Sequence, residues 1–261
     1  HGIVVAGGSD GIRHHDEVFL LSHVDGRLEY ESLPDLPDGC AEAAGVLLGD
    51  MVCIAGGRNA PESNTASDRL WTLDLGASPH AWIERTPLPD GGRHHAVAAT
   101  DGTRLLLIGG SGLDAGRSMS RSDAWAWTPE TDDWERLADL PQPISAAPSP
   151  AFPAGHDGLV VLTGSDELLV YSPITDTWRH GTVGSDTASD DPMRSDVPGW
   201  PAAGTPTVPF AGGTIVPAGI HDPDGDAGRL IMLRPILPNG QLASLDWIVI
   251  AIYLLALVAM G

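Results

Sequence analysis

Short apolar runs that close on glycine recur along the chain, at residues 3–8 (IVVAGG), 52–57 (VCIAGG), 105–110 (LLLIGG), 160–164 (VVLTG) and 215–219 (IVPAG). Their last glycines fall at 8, 57, 110, 164 and 219, which gives steps of 49, 53, 54 and 55. Runs this short, apolar throughout and bounded by glycine, predict strands buried on both faces. A second run follows each of the first four, at residues 16–21 (DEVFLL), 68–73 (DRLWTL), 123–127 (DAWAW) and 167–171 (ELLVY). An aromatic residue then marks a further strand, at Tyr30, Trp82, Trp134 and Trp178, and Leu-Pro pairs at 36–37, 88–89 and 140–141 turn the chain onward. Four features in phase predict one antiparallel unit, repeated.

A period near fifty residues with four strands per unit implies an all-β fold, a kelch-type β-propeller. Five blades are in view. The first lacks its opening strand, and the fifth, residues 201–234, has no clear fourth strand. Glycine pairs at a crowded propeller centre fit close backbone approach and need no catalytic reading. Residues 1–234 are thus assigned to the propeller and 235–246 to a linker. Residues 247–261 (WIVIAIYLLALVAMG) carry no charge and show no polar face. They are expected to begin a transmembrane α-helix, which needs about 20 such residues, so that helix is cut short. Trp247 fits an anchor at the water interface.

Composition narrows the partners. With 14 Lys+Arg against 35 Asp+Glu the net charge is −21, which excludes nucleic acid as an expected partner. No Lys occurs, so every cation is a planar guanidinium suited to carboxylate or phosphate. Cys40 and Cys53 flank a hairpin turn at Gly49-Asp50 with an offset of about 20 Å along the strands, too far for a disulfide. Two free thiols are expected, with Cys53 in the core.

Antiparallel alternation puts the loop between strands two and three on the same face as the loop leading to the next blade. The segments of that face hold Arg13, Arg58, Arg93, Arg117, Arg121 and Arg229, six of the fourteen arginines, with His14, His15, His94, His95 and His221. One rim so rich in cations in an acidic chain reads as an anion site. Arg93, just before the strand run 96–99, is the best placed. Strand alternation would point Arg93 and His95 one way and His94 the other, so the two histidines are expected not to share a metal. Asp222, Asp224 and Asp226 have the spacing of a calcium loop but lack its closing Glu, and an acidic turn is the expected outcome.

Residues 6–21 (AGGSDGIRHHDEVFLL), Pro34-Asp35-Leu36-Pro37, residues 137–150 (LADLPQPISAAPSP) and residues 215–219 resemble the kelch proteins of the cyclically permuted mutarotase and N-acetylneuraminate epimerase family. The tail 245–261 is similar to the first transmembrane helix of sodium:solute symporters, to which such propellers are fused. The resemblance implies an extracytoplasmic propeller that interconverts anomers of sialic acid or a related anionic sugar and is coupled to the transporter. It implies no metal or organic cofactor, with sodium needed only by the transporter. It also implies six blades, so one is expected upstream. The cation-rich rim supplies the expected substrate contacts, at Arg13, His14, Arg58, Asn59, Arg93, His94 and Arg121. Ile220 stands where the family pattern has a Glu, so His221 or Asp222 is expected to replace it as base, and Arg229 to fill the family's Arg position. The alternative is a kelch domain that binds sugar or protein without catalysis.

Overall fold

A computed structural model of the chain describes residues 2–114, 117–153, 158–163, 168–181, 205–210, 213–218 and 229–233. The predicted linker and transmembrane segment, and with them His221 and Asp222, lie outside the described residues. Among the described residues the structure is all-β, and none of them forms a helix long and apolar enough to cross a membrane.

Among the described residues, five antiparallel sheets of three or four strands follow one another, with a two-stranded hairpin beside the third. The first contains β1 (Gly2–Ala6), β2 (Val18–Val24) and β3 (Arg27–Leu33). The second contains β4 (Ala44–Leu48), β5 (Met51–Ala55), β6 (Leu70–Asp74) and β7 (Trp82–Glu84). The third is built from β8 (Val97–Thr100) and β9 (Leu105–Ile108), then, after a separate hairpin of β10 (Ser111–Asp114) and β11 (Arg117–Ser120), from β12 (Ala124–Thr128) and β13 (Asp133–Arg136). The fourth contains β14 (Phe152–Pro153), β15 (Leu159–Leu162), β16 (Leu168–Ser172) and β17 (Thr177–Gly181). The described part of the fifth is β18 (Val208–Phe210), β19 (Gly213–Ala218) and β20 (Arg229–Leu233).

Successive sheets pack face to face because their side chains alternate. Val52 and Ile54 of β5 join a core with Val18 and Leu33 of the first sheet, while Cys53 and Ala55 join Leu105, Leu107 and Trp127 of the third. Leu106 and Ile108 of β9 point the other way, to Leu159 and Val161 of β15. Val160 and Leu162 in turn meet Val216 of the fifth sheet. This is why the glycine-ended runs of β5, β9 and β15 are apolar: each lies between two blades.

The aromatic residues of the outer strands have a polar task as well. Indole Nε1 donates from Trp82 to Pro34 O at 2.8 Å, from Trp134 to Thr86 O at 3.0 Å and from Trp178 to Ala138 O at 2.9 Å, each bond crossing to the preceding blade. Tyr30, the aromatic of the first blade, is 76% exposed, with no earlier blade among the described residues to receive it.

The glycine pairs sit where neighbouring backbones meet. Gly57 N–H donates to Arg93 O at 2.8 Å, and the homologous bonds run from Gly8 to Cys40 O and from Gly110 to Ile144 O. Gly56 has φ +71, and a Cβ built on it would lie 2.2 Å from Arg93 O. Gly56→Ala is therefore expected to destabilise the chain by more than about 1 kcal/mol, through a strained backbone and a displaced neighbour, read as a lower urea midpoint with an unchanged m value. Both thiols are free, as expected. Cys53 is fully buried in the core, and burial pushes its thiol up to about 12.

Candidate functional site

Aligning the blades on their glycine pairs brings three tripeptides into register: Cys40-Ala41-Glu42, Arg93-His94-His95 and Ile144-Ser145-Ala146. The third member of each has a left-handed backbone, with φ of 59° at Glu42, 52° at His95 and 58° at Ala146. Such values are uncommon outside glycine and cost about 1–3 kcal/mol each, so the surroundings must hold them. They do so through the main chain. His95 N–H donates to Glu42 O at 2.8 Å, and Ala146 N–H donates to His95 O at 3.0 Å. These three residues precede the first strands of their blades and so form an arc on the face that the sequence identified as functional.

The left-handed turn at His95 removes the strand alternation expected there. His94 and His95 converge instead of diverging: their Nδ1 atoms are 2.7 Å apart, and both face Glu42 Oε2, at 3.1 Å and 3.5 Å. Glu42 is held from its far side by Arg58, whose Nε donates to Oε2 at 2.7 Å and whose Nη2 donates to Oε1. Burial works to raise the Glu42 carboxyl, but the Arg58 guanidinium and the two imidazoles outweigh it and keep it below the ordinary range. Desolvation lowers both imidazoles, assisted at His94 by its neighbour His95 and opposed at both by Glu42. The cluster is thus a carboxylate beside two imidazoles biased toward neutrality. His94 is nearly buried, whereas the His95 and Glu42 side chains are 29% and 22% exposed. One ligand atom from each of the three lies within 4.8 Å of the others, a spacing that a metal ion could bridge.

A cavity of about 200 Å³ adjoins the cluster between the first two blades, with Arg58, Asn59, Thr65 and Ser67 in its wall beside the ion pair of Arg69 with Asp38. Arg58 therefore borders both spaces. Its Nη1 donates to Pro61 O at 3.1 Å, so this guanidinium is spent on the protein.

The other expected site residues are dispersed. Arg13 is exposed, with one ion pair to Glu17 at 3.6 Å. Both ring nitrogens of His14 are enclosed with no hydrogen-bond partner among the described residues. Arg121 reaches Asp90 O with Nη2 at 2.8 Å, its backbone bridging Ile144 of the next tripeptide. Arg229 opens β20 opposite Ala218, and His221 and Asp222 lie outside the described residues.

Arg93 requires a correction. It was expected at the rim as a substrate contact, yet it is 0% exposed, and its guanidinium donates to Gly109 O, Pro89 O and Asp123 Oδ2 at 3.2, 3.1 and 2.8 Å. A group so enclosed ties the second and third blades together and offers nothing to a ligand. The loop expected over 111–123 is likewise a hairpin, β10 paired with β11, whose base is bridged to His94 through Ser111. Glu42 escaped the sequence reading altogether. Its register with His95 in the repeat was the available signal.

Residues 92–141, which carry both histidines and most of the third blade, match the Kelch motif. The structure of YjhT superposes with a TM-score of 0.55 at 19% identity, covering 78% of this chain and 68% of that one. The fold is a kelch-type β-propeller. Among curated proteins, this propeller is 31% identical over 124 residues to the N-acetylneuraminate epimerase of Pasteurella multocida (strain Pm70), covering 47% of this chain and 31% of that protein. It is 28% identical over 143 residues to the N-acetylneuraminate epimerase of Haemophilus influenzae (strain PittEE), covering 54% and 36%. The matched kelch segment thus spans about a third of the length of those relatives.

Proposed function

We propose that the propeller handles a small carboxylated sugar, sialic acid or a close relative, and speeds the interconversion of its anomers. The observation that carries this reading is the meeting of Glu42, His94 and His95 at the functional face of a chain similar to two N-acetylneuraminate epimerases. Ring opening requires a group to take the proton of the anomeric hydroxyl while another protonates the ring oxygen. His95 is the more exposed imidazole, and desolvation biases it toward the neutral, proton-accepting form, so it takes the first role. Glu42, 3.5 Å away, stabilises the imidazolium that results. His221, Asp222 and Arg229 of the last blade are proposed to complete the proton transfer, and Arg13, Asn59 and Arg121 to meet the carboxylate and hydroxyls of the sugar.

We further propose an extracytoplasmic propeller joined to a sodium-coupled transporter; the uncharged run 247–261 bears on the membrane-spanning part of that reading alone. A specific observation favours a second reading, binding without turnover: Ile220 occupies the place of the family's Glu.

Proton NMR of a single anomer of N-acetylneuraminate, followed with and without the full chain, tests the proposal. Equilibration faster than in buffer is the expected result. Saturable broadening of the sugar lines at the buffer rate would establish the binding reading, and neither effect would end both.

A further inference from the structure

The Glu42–His94–His95 cluster poses a problem of protons. Its three facing atoms, two Nδ1 and Oε2, lie 2.7, 3.1 and 3.5 Å apart, so each pair is at or near hydrogen-bonding distance. If both Nδ1 atoms carried hydrogen, two N–H groups would oppose each other at 2.7 Å. With one hydrogen, only one edge of the triangle has a good donor, and an imidazole lone pair still faces the carboxylate. His94 gains nothing at its other end among the described residues, where its buried Nε2 has no hydrogen-bond partner and the residue is only 9% exposed. Three convergent lone pairs are better satisfied by a cation than by one proton.

The dimensions suit a particular cation. Bonds of about 2.0–2.1 Å in a tetrahedral zinc site place neighbouring ligand atoms roughly 3.3–3.4 Å apart, and a point about 2 Å from all three atoms exists about 1 Å off their plane. Two imidazole nitrogens and one carboxylate oxygen form the donor set that zinc takes when a fourth position stays open. Arg58 holds the carboxylate from behind with two hydrogen bonds, as outer partners of metal ligands do. Its charge also offsets that of Glu42, which disfavours the hard cations that rely on several carboxylates. The backbone bond from His95 N–H to Glu42 O, at 2.8 Å, fixes two of the three ligands relative to each other.

We propose that Glu42, His94 and His95 form a three-ligand site for a divalent transition-metal ion of the zinc class, with its fourth position open toward the functional face. This goes beyond the sugar reading and is tested without it, since the readout is the metal. Zinc on His95 Nδ1 would leave the ring's one hydrogen on Nε2, so no lone pair would remain for His95 to act as a base, and the two activities would compete.

The full chain, free of any polyhistidine tag and stripped with chelator, is titrated with zinc chloride by calorimetry and with cobalt(II) by visible absorption. One equivalent is expected, with the intense visible bands of tetrahedral cobalt. His95→Gln and Glu42→Gln should each lose saturable binding, while His95→Cys, which returns a ligand atom, should regain it. Thermal melts of every variant separate lost binding from lost folding, and zinc should raise the melting temperature of the parent but not of His95→Gln. Absence of saturable binding by the parent, equal binding by the Gln variants, or displacement of zinc by equimolar magnesium or calcium would overturn the proposal.

Discussion

Arg93→Ala is expected to lower the stability of the propeller by about 3–5 kcal/mol, the usual cost of removing one partner from a buried ion pair. The guanidinium is 0% exposed and supplies hydrogen bonds to two backbone carbonyls as well as to Asp123. Its loss leaves the Asp123 carboxylate, 12% exposed, with the indole Nε1 of Trp125 at 2.6 Å as its side-chain hydrogen-bond donor among the described residues. Urea unfolding measures the effect directly. Arg93→Leu combined with Asp123→Leu should recover part of the loss, because no charge is then left unpaired. The pair also predicts an acid limb. Burial raises the Asp123 carboxyl, but hydrogen bonding and charge from Arg93 prevail and hold it below its ordinary 3.8. The stabilisation is therefore complete above the ordinary carboxylate range and is lost as pH falls through the lowered value. Arg93→Ala should flatten that part of the profile.

His95→Ala carries the largest expected change in activity, a fall in anomer-equilibration rate of about 10²–10⁴-fold, the range for a lost general base. The fold should survive. Ala146 already adopts the same left-handed conformation in the next blade, at φ 58° against 52° for His95, so alanine fits this position. A loss confined to the rate at saturating sugar, with an unchanged melting temperature, is the expected pattern. An unchanged rate would remove His95 from the chemistry, whatever the propeller binds.

How much of this was visible beforehand depended on whether the repeat or the exception carried the information. The β5, β9 and β15 strands were legible because burial between two blades leaves an unbroken apolar signature, and the glycines that end those runs mark where the next backbone passes. Trp82, Trp134 and Trp178 were legible as strand markers, although their bonds to the preceding blade were not. Arg93 misled because a count of cations on a rim says nothing about which one is buried, and its partner Asp123 lies thirty residues on. His94 and His95 misled because period-two alternation holds only inside a strand, and β8 starts at Val97. Comparing the repeats position by position would have set Glu42 beside His95.

That arc of left-handed residues has an evolutionary consequence. Main-chain bonds fix the positions 42, 95 and 146, and three different side chains, an acid, an imidazole and a methyl group, occupy equivalent places. The scaffold dictates where a reactive group stands while leaving open which group it is. New chemistry can thus be tried at the mouth by single substitutions, with the packed blades indifferent to the outcome.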